Sequence, residues 1–155
     1  MKLLLFVLLN AGCLARSAEI KHAEQDTETL IKIASKWSPE RQRTFQQYFN
    51  DKTEKLSQED HIKLYAKIHN KDPEIYKFFQ VKFGMHVKNF DDSEEGRDFL
   101  KYYYAQIDQM PDDSQESYDK LFSDVQDKWK KLSEETKDAL NQSFTGMRAF
   151  FDKDD

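Results

Sequence analysis

Residues 131–144 read KLSEETKDALNQSF, and the opening phrase occurs twice more, as KLSQEDHIKLYAKI at 55–68 and KWSPERQRTFQQYF at 36–49. Each phrase is a Lys, a large apolar residue and a Ser, with a Glu two places after the Ser. A Ser hydroxyl accepts hydrogen bonds from the otherwise unpaired amides of a first helical turn. Pro suits the first helical position, and early carboxylates complement the helix dipole. The phrase is therefore a helix start. The same chemistry recurs at Asp72-Pro73-Glu74 and Ser93-Glu94-Glu95, and Asp113 with Glu116 resembles a capping box. The three phrases are unequally spaced, which speaks for recurrent capping and against a repeat array.

The segments between these starts carry apolar residues at three- and four-residue intervals, without the alternation of a strand. Leu30, Ile33, Ala34 and Trp37 share one face, and Phe45, Tyr48 and Phe49 share the next. Ile62, Tyr65, Ala66 and His69 follow, then Ile75, Phe78, Phe79, Phe83, Val87 and Phe90 on a helix from Pro73. Phe99, Leu100, Tyr103, Ile107 and Met110 come before Pro111, and Tyr118, Leu121, Phe122, Val125, Trp129 and Leu132 before Ser133. Leu140, Phe144, Met147 and Phe151 form the last stripe. The pattern predicts an all-α chain of about seven short-to-medium amphipathic helices in a single compact domain. Helices of three turns are marginal alone in water, so they must stack face to face.

The first eighteen residues, MKLLLFVLLNAGCLARSA, have a basic Lys2, an apolar run from Leu3 to Leu9 and then small residues. That is the form of a secretory signal peptide, and the run is too short to span a bilayer. Cleavage after Ala15 is one expectation and after Ala18 the other. Removal takes the only cysteine, Cys13, so the remaining chain has no thiol for a disulfide. Loss of Lys2 and Arg16 leaves 22 basic against 29 acidic residues, a net of −7. Such a surface repels phosphate backbones, and nucleic acid is not expected as a partner. The expected plan is a leader at 1–18, a helical domain at 19–151 and a polar tail at 152–155.

Beyond residue 18 there are eleven Phe, seven Tyr and two Trp against seventeen Leu, Ile and Val. Cores more often lean on aliphatic chains, which pack in few rotamers. A filled aromatic core and an aromatic-lined hollow one give the same stripes, so both stand at this level.

Catalytic chemistry finds little support. There is no Gly-rich phosphate loop and no nucleophile elbow. His22, His61, His69 and His86 include no pair four residues apart, so neither a metal nor a cofactor is expected. The run from Asp91 mimics the first half of a calcium loop. Phe99 and Tyr102 then fall on its ninth and twelfth positions, where a calcium loop needs oxygen. An acidic helix cap is the better account.

The helix from Pro73 places Lys82 and His86 near the centre of its apolar stripe, beside Phe79 and Phe83. A charge there must be paired, or lay its methylenes along the surface, or meet an anionic ligand group. Tyr103 is the inward member of Tyr102, Tyr103 and Tyr104, because it shares its direction with Phe99 and Ile107. The expected ligand-lining set is Phe79, Lys82, Phe83, His86, Tyr103, Ile107, Phe122, Phe144 and Met147. Asn141-Gln142-Ser143 is an N-glycosylation sequon.

The run Leu132-Ser-Glu-Glu-Thr-Lys137 with Leu140 and Phe144 resembles the C-terminal segment of nematode fatty-acid- and retinol-binding proteins. LSQEDHIKLYAKI from Leu56 and FLKYYYAQIDQMPDDSQESYDKLFSDV from Phe99 are similar to the same family, so the resemblance spans roughly residues 50 to 151. The resemblance implies a secreted, helix-rich, non-enzymatic carrier with an apolar cavity. Long-chain fatty acids are its ligands, with retinoids as a further candidate class. A monomer with transient membrane contact during ligand delivery fits such a carrier. The motifs are caps and spacings, and the family's ligand contacts do not transfer through them. The alternative from a different class is a secreted interaction protein with a filled helical core, acting through its surface.

Overall fold

The computed structural model describes residues 17–50 and 52–153. The expected signal peptide lies outside them except at its last two positions. Among the described residues there are eight α-helices and no strand. They are α1 Ser17–Ser35, α2 Pro39–Tyr48, α3 Gln58–Lys71, α4 Pro73–Asn89, α5 Glu94–Asp108, α6 Gln115–Lys130, α7 Glu134–Ser143 and α8 Met147–Phe151, with a 3-10 turn at Thr53–Lys55. None of these helices is long and apolar enough to cross a membrane.

Most starts are built as the capping chemistry requires. Ser38, Ser57, Ser93 and Ser133 accept from the amides of Arg41, Asp60, Gly96 and Thr136 at 2.9–3.2 Å. Two starts differ from expectation. At α6 the cap is Ser114 and not Asp113, its Oγ accepting from the Ser117 amide at 3.2 Å. Asp112 braces that turn by accepting from both serine hydroxyls. Asp72 makes no side-chain cap for α4 and instead accepts a short hydrogen bond from the Tyr48 hydroxyl, tying α2 to α4.

The last predicted helix is two. The backbone leaves helical geometry after Ser143, and Gly146 takes φ +96°, a left-handed conformation that suits a residue without Cβ. α8 then folds back on α7. Asn141 Oδ1 accepts from the Arg148 amide at 3.1 Å, and the Arg148 guanidinium reaches Glu134, Asp138 and Asp152. The polar tail expected from 152 is tied in through its first two residues. Asp152 accepts from the Trp129 indole at 2.6 Å, and the Lys153 carbonyl accepts from Gln126 at 2.8 Å.

Helix α4 packs on α1, α3 and α5, and α5 packs on α3, α4, α6 and α7. Trp37, just past α1, meets Phe78, while Asp26 meets Asn89, so α1 runs antiparallel to α4. The buried residues form two clusters. One gathers Leu30, Trp37, Phe45, Phe49, Phe78, Phe79 and Phe83 from α1, α2 and α4 and their flanks. The other gathers Phe99, Tyr103, Ile107, Leu121, Trp129, Leu140 and Phe151 from α5 to α8. Among the described residues, Tyr65 and Tyr104 pack against both. They form a seam between two aromatic halves.

Candidate functional site

Helix α4 turns its apolar stripe into the first half. Phe79 is fully buried there, with the rings of Phe45, Phe49, Tyr65, Phe78 and Phe83 at 5.0–6.5 Å. Each such pair contributes about 0.5–1.5 kcal/mol beyond area burial. Ring contacts therefore occupy the centre of this half.

One to two helical turns beyond Phe79, the stripe reaches Lys82, Phe83 and His86, of which Phe83 and His86 meet Tyr104. Phe83 lies flat on Tyr104 at 4.3 Å with an 8° interplanar angle. His86 Nδ1 shares a 2.7 Å hydrogen bond with the Tyr104 hydroxyl, and its ring rests 5.3 Å from Phe144. Lys82 is part-buried beside them, with no hydrogen bond or ion pair to any described residue. Loss of water lowers its ammonium to about 8. The same loss, reinforced by the Lys82 charge, lowers His86 to about 3, so the imidazole is neutral at ordinary pH. Burial raises the Tyr104 hydroxyl well above its usual range. The result is a cation short of water, a neutral hydrogen-bonded His86–Tyr104 pair and two stacked rings.

Five of the nine expected residues are brought together: Phe79, Lys82, Phe83 and His86 along α4, and Phe144 against His86. The other four belong to the second half. Tyr103 is buried with its hydroxyl accepting from Gln58 at 3.3 Å, and burial pushes that hydroxyl up to about 12. Ile107 and Met147 are buried in the same cluster. Phe122 packs on its outer side against Tyr118, Phe150 and Phe151. Tyr104 and Tyr65 were missed. The expectation that one tyrosine of three points inward fails because α5 is packed on two sides, offering Tyr103 to one half and Tyr104 to the seam. The Leu100-Tyr104-Ile107 spacing was the signal available.

His61, His69 and His86 do not converge. His61 Nδ1 lies 3.0 Å from the Ser57 carbonyl, and His69 meets Tyr76 edge-on at 4.6 Å. No three His, Cys, Asp or Glu among the described residues group as a metal ion would require. Asn141, the sequon residue, is part-buried and its Oδ1 is engaged with α8. A depression of about 540 Å³ lies between the end of α5 and the start of α6, lined by Gln106, Met110, Asp112, Glu116, Lys120, Leu121 and Asp124 among others. It includes none of the nine expected residues, and its polar rim offers an acyl chain little. No family model matches the chain, and no curated protein and no solved structure matches it.

Proposed function

We propose that this protein is a secreted carrier of long-chain fatty acids that opens along the Tyr65–Tyr104 seam, with the ligand carboxylate held by Lys82. The observation that carries this reading is the part-buried, dehydrated Lys82 ammonium without a partner among the described residues. An unpaired charge among aromatic rings is costly, and an incoming carboxylate removes that cost. The tail takes the place of the contacts between Phe83 and Tyr104 and runs into the aromatic halves. Burial of one methylene stabilises by about 0.8 kcal/mol, so about ten offset a micromolar requirement before ordering costs. Long acids meet that condition and short ones do not. The leader-like first eighteen residues support export, and the motifs similar to nematode fatty-acid- and retinol-binding proteins support the ligand class. Retinoids are a second, uncharged class for the same seam, and the carrier acts as a monomer with passing membrane contact.

Displacement of an environment-sensitive fluorescent fatty acid tests the assignment. Lys82→Met should weaken fatty-acid binding about tenfold or more, the loss of one charge-assisted contact, and leave retinol unaffected. Equal effects on acid and retinol would refute the role of Lys82. A second reading, an exported interaction protein with a filled core, is favoured by the rings in contact around Phe79. Solvent extraction of the purified protein separates the two: co-purifying lipid supports the carrier, and a clean extract supports surface action.

A further inference from the structure

The asparagines among the described residues use their side chains in two ways. Asn50, Asn70 and Asn89 each donate from Nδ2, to the carbonyls of Gln47 and Ala66 and to the carboxylate of Asp26, at 2.5–3.2 Å. Asn141 is engaged through its oxygen instead. Its Oδ1 accepts from the Arg148 amide at 3.1 Å, in the first turn of α8, while its Nδ2 donates to no described residue. Among the described residues His69 Nδ1 is the one side-chain polar atom that is both buried and unbonded, so Asn141 Nδ2 is open to solvent. That nitrogen is the atom an N-linked glycan occupies, and Asn141-Gln142-Ser143 is the one Asn-x-Ser/Thr sequence in the chain. The sequon forms the last three positions of α7, followed by exposed Thr145 and by Gly146 in its left-handed turn. A helix end opens more readily than its middle, so presenting the sequon in extended form undoes one terminal turn and not the helix.

We propose that Asn141 carries an N-linked glycan, attached through Nδ2 as the chain enters the secretory pathway, and that Oδ1 goes on capping α8 afterwards. The inference rests on the export part of the proposed function and on nothing about the ligand. Nδ2 forms a bond to the anomeric carbon of a lipid-linked oligosaccharide and gives up one proton. The bond from that carbon to its pyrophosphate oxygen breaks, and the pyrophosphate leaves with the electron pair. One asparagine and one lipid-linked sugar give one glycosyl amide and one lipid pyrophosphate, and no oxidant or reductant is required. The product is still an amide with its carbonyl oxygen intact, so the acceptor for the Arg148 N–H survives the modification. Asp138, Gln142 and Thr145, nearby in the chain, are exposed and give the sugar a polar setting.

The test expresses the full chain, first eighteen residues included, in a eukaryotic secretory host. The intact mass of the exported protein is read before and after enzymatic removal of N-glycans. Loss of one core glycan, mapped to Asn141, is the expected result. Asn141→Gln and Ser143→Ala should each abolish it, the second while leaving the Asn141 side chain in place. Exported protein without sugar, or sugar retained in Ser143→Ala, would overturn the proposal. A chain exported only under a foreign leader sinks the export reading alone, and its mass still decides the glycan. Amide hydrogen exchange reads the cap. The Arg148 N–H should be equally protected in glycosylated protein and in protein made in bacteria without sugar; protection lost on glycosylation would overturn the double use of Asn141.

Discussion

A methyl placed on Gly96 would lie 2.3 Å from a ring carbon of Phe90, which is itself buried beneath the start of α5. At Gly84, in the middle of α4 and facing solvent, the same methyl would meet nothing within 4 Å. Helix propensity favours Ala over Gly by about 1 kcal/mol at either position. The contact decides the sign. Gly84→Ala should stabilise by about 0.5–1 kcal/mol, whereas Gly96→Ala should destabilise by about 1–3 kcal/mol as Phe90 is displaced. Urea unfolding of the two variants would show opposite displacements of the midpoint, and shifts in the same direction would contradict this packing. His86 makes a second prediction at this scale. Its folded value, about 3, lies below the ordinary 6.5, so between those limits the unfolded chain binds more protons. Stability from this group is complete above pH 6.5 and is lost as pH falls toward 3. At pH 5 the loss reaches at most about 2 kcal/mol, less to the extent that water reaches the part-buried ring. His86→Gln, which can still hydrogen-bond to Tyr104, should lose less between pH 7 and pH 5 than the wild type. Among the described residues the groups around His86 are Lys82, Tyr104 and Phe144, and none of these is a carboxylate that would offset the effect.

Among the elements, the helix starts show what a single chain makes legible. Ser38, Ser57, Ser93 and Ser133 could be assigned because a short hydroxyl ahead of an acidic first turn has one common use. Around residues 112–114 three capping types stand in a row, Asp112, Asp113 and Ser114, and the spacing to Glu116 favoured Asp113. The structure chooses Ser114, with Asp112 as its brace. Ser114→Ala should therefore cost about 1 kcal/mol, and Asp113→Ala little. Thermal or chemical unfolding would reverse that order if Asp113 held the cap. The split of the last helix was hidden for another reason. Leu140, Phe144, Met147 and Phe151 keep helical spacing on both sides of the break, so the stripe is continuous while the backbone is not. Only Gly146 hinted at the turn.

Over the whole molecule, the all-α architecture was legible because periodicity and capping are local, while the division into two aromatic halves was not. Which stripe meets which depends on long-range docking, and Phe79 and Phe99 look alike until α4 and α5 are packed. For the same reason Lys82 and His86 stood out as polar interruptions of a stripe, but their neighbour Tyr104 did not. A carrier that parts this seam makes a prediction for the molecule as a whole. Affinity for saturated acids should rise by about 0.8 kcal/mol, or roughly fourfold, per added methylene until the seam is filled. Competition titrations across chain lengths would measure it, and a flat response would argue against enclosure. Each half also holds one indole, Trp37 beside Phe45 and Phe78, and Trp129 beside Phe99 with its N–H bound to Asp152. The molecule is thereby equipped with two native fluorophores, one on either side of its divide. Replacing either by Phe leaves a chain whose emission follows one half alone, so parting of the halves and melting of either one become optically separable events.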